Sequence, residues 1–269
     1  MSALQVAVAG IGLLGPGIDH WEEGRALLAG TAPVRGDATR VPPPEALPAA
    51  ERRRSGLATK AALAAGQQAL AAAGMAAGDL ATVFTSSGGD GVNCHEICAT
   101  LASTDRSISP TRFHNSVHNA PSGYWSIATR SMAPSSVLCA HDGSFGAGLL
   151  EAMMQVRTEQ RPVLLLAYDT RYPEPLYAIR PIPDAFGVAL LLLPQADAHC
   201  LGTLALDPRE SLGSAPADRL AQPLLEAMRL SIPAARSLPL LAALAKGERR
   251  TVTLDYLDDL QLSVTVAPC

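Results

Sequence analysis

The sequence predicts an α/β protein whose sheet is covered by helices on both faces. Three apolar runs, at residues 80–86, 162–168 and 186–193, lack the alternation of a half-exposed strand and are typical of strands buried on both sides. Segments of helical composition lie between these runs, which favours the α/β class. The length of 269 residues and the hydrophobic content of 48% suit one well-packed domain.

The chain opens with a predicted strand, a tight loop and a helix. Residues 5–9 are an apolar run rich in valine and alanine, and residues 21–28 have helical spacing. Residues 31–49 are rich in proline and polar side chains, so we expect an irregular surface loop there. An alanine- and leucine-rich helix over residues 57–73 ends at Gly74, because glycine favours the left-handed conformation that follows many helices.

The last third of the chain has a different pattern. Residues 215–244 have helical character, and residues 251–266 alternate apolar and polar side chains as a terminal hairpin does. We therefore expect one domain over residues 1–207 and a helical and hairpin extension over residues 208–269 that packs on the same domain.

Composition and charge argue against nucleic-acid and membrane partners. Charged residues are 17% of the chain and the formal net charge is −4, whereas nucleic-acid binding requires a basic face. The basic clusters at residues 52–54 and 246–250 are interpreted as solvated turns, or at most as docking points for an acidic protein. No apolar run approaches the roughly 20 residues of a membrane span, and residues 1–15 lack the pattern of a signal peptide.

Cysteine usage predicts a cytoplasmic protein. Five cysteines are an odd number without a dense framework, which is typical of free thiols in a reducing compartment. Cys94 and Cys98 are four residues apart with His95 between them, but a zinc site needs about four ligands and no convincing second pair is present. We interpret them as ordinary packed cysteines and expect no metal.

Two glycine-rich segments are better explained by backbone geometry than by ligand binding. Residues 10–15 match GxGxxG after a strand, but Pro16 follows, so no helix N-terminus is presented to a pyrophosphate. We expect no cofactor there and attribute the glycines to a tight turn. The backbone amides of residues 87–91 can hold an anion, and loop geometry explains that segment equally well.

A polar and aromatic segment over residues 113–125 suggests a pocket wall or a dimer interface. For either of its histidines alone, a hydrogen-bonded structural role is the simpler interpretation. The candidate pocket or interface residues are His114, His118, Asn119, Tyr124, Trp125 and Phe145.

The most informative stretch is residues 133–152. A strand at residues 136–140 leads through a sharp turn into a helix over residues 143–157, and this arrangement exposes one side chain at a helix N-terminus. The spacing places Asp142 at that position, where an elbow nucleophile would be Cys or Ser. Backbone N–H groups stabilise a carboxylate there by about 0.5–2 kcal/mol, so we expect a good helix cap and a poor nucleophile.

These segments together resemble the N-terminal half of the β-ketoacyl synthases, in the chain-length-factor-like subgroup. The similar segments are the opening strand and loop (6–17), the first helix (21–30), an Asn-x-x-x-Gly segment (119–127), the elbow and central helix (134–152) and a glycine-containing strand (184–193). The resemblance covers about residues 5–207. It implies a thiolase-like, three-layer α/β/α half with a five-stranded mixed sheet.

Two departures from the family pattern bear on activity. Counting from Pro134 puts Asp142 where active synthases have the nucleophilic cysteine, and Cys139 lies three residues too early. The second repeat, which supplies two histidines or a histidine and an asparagine to decarboxylation and oxyanion stabilisation, does not fit in a chain of this length. The resemblance therefore implies no catalytic residue for condensation.

The role implied is that of a non-condensing subunit in fatty acid, polyketide or aryl-polyene biosynthesis. Its expected partners are an active β-ketoacyl synthase, or a second copy of itself, and acyl chains bound to an acyl carrier protein. Residues 116–140 would form much of the dimer contact.

Two other classes of function stay open. In the first, the elbow residues His141, Asp142 and Ser144 act as general acid, base or nucleophile on an acyl thioester, in a hydrolase or dehydratase. Adjacent residues at a turn usually point in different directions, which argues against this alternative. The second is a stand-alone acyl-binding module.

Overall fold

The computed structural model describes residues 3–207 and 212–269. The helices are α1 (Trp21–Leu28), α2 (Ala49–Arg54), α3 (Leu57–Ala73), α4 (Gly91–Ala102), α5 (Pro110–Asn115), α6 (Ala120–Thr129), α7 (Ser144–Glu159), α8 (Leu176–Ile179), α9 (Pro223–Ser231) and α10 (Leu238–Lys246). The strands are β1 (Leu4–Leu14), β2 (Ala81–Thr85), β3 (Ser135–Leu138), β4 (Val163–Asp169), β5 (Phe186–Leu193), β6 (Gly202–Leu206), β7 (Leu212–Gly213), β8 (Arg250–Leu257) and β9 (Leu260–Ala267). Two 3₁₀ segments, His141–Gly143 and Pro233–Ser237, complete the list of described helical elements.

All described strands belong to one mixed sheet, so the α/β class is confirmed. The order is β3-β2-β4-β5-β1-β6-β9-β7, with β8 paired to β9. β2 runs parallel to β3 and β4, and the other pairs are antiparallel. The expected count of five strands is wrong, because the described residues form a sheet of nine strands. The first five in the order are a mixed sheet by themselves, and β6 and the C-terminal strands extend it edge to edge.

Helices cover both faces of the sheet and enclose two separate cores. One core lies under α3 and α6 and contains Phe84, Trp125 and Tyr168. The other lies under α1, α7, α9 and α10 and contains Phe145 and Leu149. The three-layer arrangement follows from strands such as β5, in which all eight residues are buried, because each face then needs its own helical layer.

The glycines of residues 10–15 serve helix packing more than a turn. β1 continues through them to Leu14, whereas a strand ending before Gly10 was expected. A Cβ atom at Gly10 would lie 2.2 Å from the carbonyl oxygen of Ala69, and one at Gly12 would lie 1.9 Å from that of Ala65. Glycine therefore lets α3 lie directly on β1, and the tight turn comes later, at Gly17, whose φ is +69°.

The C-terminal segment differs from the prediction in its helical part. Regular helix begins at Pro223 rather than residue 215, and it is interrupted at Pro233, because proline has no N–H to donate within a helix. The predicted hairpin is present as β8 and β9. The predicted domain boundary at residue 208 lies outside the described residues and stays a prediction.

Two of the five cysteines are paired, so the expectation of free thiols is wrong for them. Cys200 and Cys269 form a disulfide with their Cα atoms 6.0 Å apart. The pairing follows from the sheet, since β6 and β9 are antiparallel neighbours and these cysteines lie just outside the paired ends. Cys94, Cys98 and Cys139 are free and exposed, so the interpretation of Cys94 and Cys98 as packed cysteines is wrong.

Candidate functional site

The candidate site lies where β2, β3 and β4 end. These three strands are parallel, so their carboxyl ends meet at one edge of the sheet, the usual position of sites in open α/β sheets. β2 ends next to Ser86 and Ser87, β3 leads into Cys139 and the elbow, and β4 ends at Asp169. The 3₁₀ segment Pro233–Ser237, called here the bridging helix, packs against this edge.

The elbow is a sharp turn that its own serine holds together. His141 has a φ of +49°, in the left-handed region, which turns the chain from β3 into α7. The Ser144 hydroxyl accepts the Ala140 N–H (3.0 Å) and donates to the His141 carbonyl (2.7 Å). Ser144 is buried at 2% exposure, so its hydroxyl serves the turn.

Asp142 does not cap α7, and in this respect the sequence-based expectation is wrong. Its Oδ1 accepts a hydrogen bond from Nη2 of Arg180 (2.7 Å), and its Oδ2 accepts one from Nη2 of Arg236 (2.9 Å). Within the described chain, no backbone N–H donates to this carboxylate. Two guanidinium groups are stronger partners than backbone amides, because both members of each bond are charged.

Asp142 is one end of a series of ion-paired side chains of alternating charge, which we call the arginine–carboxylate chain. Its members in order are Asp142, Arg236, Asp255, Arg229 and Glu226. Nη1 of Arg236 also forms an ion pair with Oδ1 of Asp255 in β8 (2.8 Å), and Oδ2 of Asp255 accepts a hydrogen bond from Nη1 of Arg229 (2.9 Å). Arg229 is only 4% exposed and forms two parallel bonds with Glu226, at 2.9 and 2.8 Å. The arginine–carboxylate chain therefore connects Glu226 in α9, through β8 and the bridging helix, to the elbow.

Hydrogen bonding shifts the pKa values of Glu226 and Arg229, which lie at the end of the arginine–carboxylate chain farthest from the elbow. The hydrogen bond from Arg229 lowers the pKa of Glu226 to about 2. The same pair raises the pKa of Arg229 above its ordinary value, again chiefly through that hydrogen bond. Both groups are therefore held in their charged forms.

The hairpin lies directly against the elbow. A Cβ atom at Gly143 would lie 1.5 Å from the Tyr256 carbonyl oxygen, and one at Gly146 would lie 2.5 Å from that of Asp255. The two glycines thus allow β8 to press on the start of α7. Between the elbow and the hairpin tip lies a cleft of about 870 Å³, lined by His141, Asp142, Arg236 and residues 255–261.

A second carboxylate at this edge, Asp169, has a different environment. It is 2% exposed, and its Oδ1 accepts bonds from the Ser87 N–H (2.9 Å) and from the hydroxyls of Ser87 (2.7 Å) and Ser86 (3.3 Å). Its Oδ2 accepts the N–H of Ala234 (2.8 Å) in the bridging helix. Burial raises the pKa of Asp169 more than these bonds lower it.

The candidate pocket or interface residues do not form one cluster. His114 is exposed and its ring meets that of Tyr124 edge to face, with centroids 6.1 Å apart. His118 is half-buried, with Nε2 at 3.2 Å from the Ser86 carbonyl oxygen, and Asn119 is exposed before α6. Tyr124 and Trp125 are 1% and 2% exposed in the α3 core.

Phe145 lies in the opposite core, at 1% exposure, beneath α7. Of the six residues, His114, His118 and Asn119 therefore present polar atoms outside the cores. Their predicted role in a pocket or interface stays a prediction.

The part of the chain that the structure describes contains neither a metal-ligand cluster nor a membrane-spanning helix. No group of three or more His, Cys, Asp or Glu side chains there could hold a metal ion. None of the described helices combines the length and apolarity needed to cross a bilayer.

The sequence prediction located the elbow and Asp142 but missed the partners of this carboxylate. Arg180 and Arg236 lie 38 and 94 residues away in the chain, so no local spacing indicates them. Asp169 had a visible signal, since it is an acidic residue at the end of an otherwise apolar strand.

Comparisons with known proteins point to one family. The sequence profile described as beta-ketoacyl synthase, N-terminal domain, matches residues 21–230. No curated protein matches the chain. Solved structures share the fold, among them the ketosynthase ApeO in complex with its chain length factor ApeC from Xenorhabdus doucetiae, with 24% identity, a TM-score of 0.73, and coverage of 97% of this chain and 99% of that chain.

Two further complexes are similar over the same extent. The ishigamide ketosynthase/chain length factor has 15% identity and a TM-score of 0.72, with coverage of 98% of this chain and 99% of that chain. The AntDE:AntF complex, a type II polyketide synthase acyl-carrier protein with its ketosynthase, has 10% identity, a TM-score of 0.72 and the same coverage, 98% and 99%.

Proposed function

Because the chain belongs to the β-ketoacyl synthase N-terminal domain family, we propose that it is a non-condensing, chain-length-factor-like subunit. It pairs with an active ketosynthase in fatty acid, polyketide or aryl-polyene assembly on an acyl carrier protein. The observation that carries the proposal is the Asp142 carboxylate, which lies at the elbow, where the family resemblance leads us to expect the nucleophile, and which is bound by two arginines.

The chemistry of the elbow supports this proposal. Condensation needs a nucleophile that can take an acyl group as a thioester, and a carboxylate whose two oxygens are both bonded to guanidinium groups is a poor one. The Tyr256 carbonyl oxygen also lies against Gly143, so the start of α7 is packed tightly against β8. The elbow is thus suited to structure more than to acyl transfer.

A candidate partner surface lies within residues 116–140. β3 is an edge strand, paired with β2 alone among the described strands, and an edge strand can be extended by a strand of another chain. Apolar side chains are exposed within the same segment: Met132 at 94%, Val117 at 50% and Ile127 at 44%. We propose this segment as the contact with the ketosynthase.

The test is light scattering on the purified chain, alone and mixed with a ketosynthase encoded beside it, followed by a condensation assay with malonyl-loaded carrier protein. We expect a heterodimer, and elongation only when the ketosynthase is present. Met132→Glu should weaken pairing by roughly tenfold or more, because it buries a charge in the interface. Ile179→Glu, at an exposed apolar side chain outside the segment, is the matched control.

A chain that stays monomeric with every candidate ketosynthase would overturn the partner assignment. A lone homodimer would redirect it to a second copy of this chain.

A second candidate, acyl-thioester hydrolysis or dehydration, is favoured by one observation. His141 is 74% exposed beside the cleft, and its Nδ1 lies 3.7 Å from Oδ1 of Asp142. Replacement of Asp142 by Asn separates the two functions, since it abolishes turnover in the enzyme and leaves pairing with the ketosynthase intact in the subunit.

A further inference from the structure

The bridging helix is attached to the strand ends by two carboxylates of different kinds. At its start, the N–H of Ala234 donates to Asp169, which is fully buried. Near its end, the guanidinium of Arg236 donates to Asp142, whose side chain is 40% exposed. One attachment is sealed from solvent, and the other borders an open cleft.

The exposed attachment has the composition of an anion-binding site. The side chains of Arg180 and Arg236 are 21% and 16% exposed, so most of each guanidinium stem is fixed by packing. Both Nε atoms are buried and have no hydrogen-bond partner among the described residues. Paired, oriented guanidinium groups bind carboxylates well because each presents several donors in a rigid plane.

The numbers of positive and negative side chains also favour an anion-binding site at Arg180 and Arg236. The arginine–carboxylate chain, with Arg180 included, contains three arginines and three carboxylates, the latter being Asp142, Asp255 and Glu226. Asp255 and Glu226 are each bonded to Arg229. Without the Asp142 carboxylate, three cations would face two anions, and the excess positive charge would lie at Arg180 and Arg236.

We propose that Arg180 and Arg236 form a carboxylate-binding site that Asp142 fills from within the chain. While Asp142 occupies the site, it holds the bridging helix and the β8 end of the hairpin against the elbow. When Asp142 is removed, the site takes a small external carboxylate from the cleft. This inference concerns the elbow alone, so it stands or falls independently of the ketosynthase partner.

The test is thermal unfolding of the full chain carrying Asp142→Ala, titrated with sodium formate. We expect a saturable rise in the unfolding midpoint, with half-saturation on the order of 10–100 mM for a ligand of three non-hydrogen atoms. Sodium chloride at equal ionic strength and formamide, the neutral analogue, should give less than half of the rise. The wild-type chain should respond to formate no more than to chloride.

Two variants serve as matched controls. Asp259→Ala removes an exposed carboxylate from the same cleft and should show no response specific to formate. Arg236→Met combined with Asp142→Ala should lose the formate response. An Asp142→Ala chain that responds equally to formate and chloride, or a double variant that keeps the full response, would overturn the proposal.

A second measurement does not require Asp142→Ala to fold. Asp142→Asn keeps the side-chain volume and removes the charge, and hydrogen exchange can then be followed at the end of β8 and at the start of the bridging helix. We expect roughly fivefold faster exchange at residues 255–257, with the Ala234 N–H still protected by Asp169. Unchanged exchange at residues 255–257 would contradict the attachment through Asp142.

Discussion

Asp142 follows β3 and Asp169 ends β4, and only β2 lies between these two strands. The two carboxylates are nevertheless stabilised in opposite ways. Asp169 is withdrawn from water and surrounded by neutral donors: two serine hydroxyls and two backbone N–H groups. Asp142 stays partly in water and is bound by guanidinium groups. The first arrangement depends on burial, and the second depends on charge.

The difference teaches what each attachment can do. Neutral donors buried with Asp169 have no alternative partner, so breaking that attachment leaves several polar groups unsatisfied at once. Water and salt can replace the partners of Asp142 at moderate cost. We therefore interpret Asp169 as the permanent attachment of the bridging helix and Asp142 as the exchangeable one.

The largest effect that tests this comparison is expected from removing each carboxylate in turn. Asp169→Ala should lower the free energy of unfolding by about 3 kcal/mol, because the Ala234 and Ser87 N–H groups lose their acceptor in the core. Asp142→Ala should lower it by about 1 kcal/mol, as for a partly exposed ion pair. Urea unfolding monitored by circular dichroism measures both, and equal losses would contradict the distinction.

A smaller effect is expected in the pH dependence of the free energy of unfolding. A buried carboxylate such as Asp169 and an arginine-bound one such as Glu226 should give slopes of opposite sign. Burial raises the pKa of Asp169, so its contribution is fully present below the unfolded value of about 3.9 and is lost as the pH rises through the folded value. Glu226, with its pKa lowered to about 2, contributes above its ordinary value of 4.5, and that contribution is lost as the pH falls.

Unfolding free energies between pH 2 and pH 8 should resolve the two contributions. Asp169→Asn should remove the falling component, and Glu226→Gln the rising one. If both variants change the slope of unfolding free energy against pH in the same direction, it is wrong that burial dominates at Asp169 and charge at Glu226.

The smallest effect is expected from salt. Raising sodium chloride from 0.1 to 1 M shortens the screening length from about 10 to about 3 Å, so the cost of Asp142→Ala should shrink by a few tenths of a kcal/mol. The cost of Asp169→Ala should stay constant, because that carboxylate is out of reach of solvent ions. Repeating the urea titrations at both salt concentrations measures the difference.

Local patterns in the sequence were sufficient for the elements that local physics determines. Strand β5 has the bounds that its apolar run predicts, and α3 ends at Gly74, whose φ is +61°. Strand β6 was missed because five residues with partial alternation are a weak signal, and its place in the sheet depends on β1 and β9. The strand count was therefore one part of the fold prediction that failed.

The site was predictable only in outline. The strand-turn-helix pattern indicated the elbow, because it arises from consecutive residues. The partners of Asp142 come from a loop and from the bridging helix, and side-chain pairing over such separations depends on the completed fold. A helix cap was the natural expectation for an isolated elbow, and the two arginines outcompete it once the chain has folded.

The position of β9 has a consequence for the order in which the molecule can be assembled. This strand is the last in the sequence, yet it lies between β6 and β7 and also pairs with β8. During synthesis, β7 and β8, which pair with no other described strand, therefore cannot form inter-strand hydrogen bonds until β9 has been made, whereas β6 can already pair with β1. Asp255 reaches Arg236 from β8, so the charged environment of the elbow is completed by a hairpin that is made after the elbow and both of its arginines.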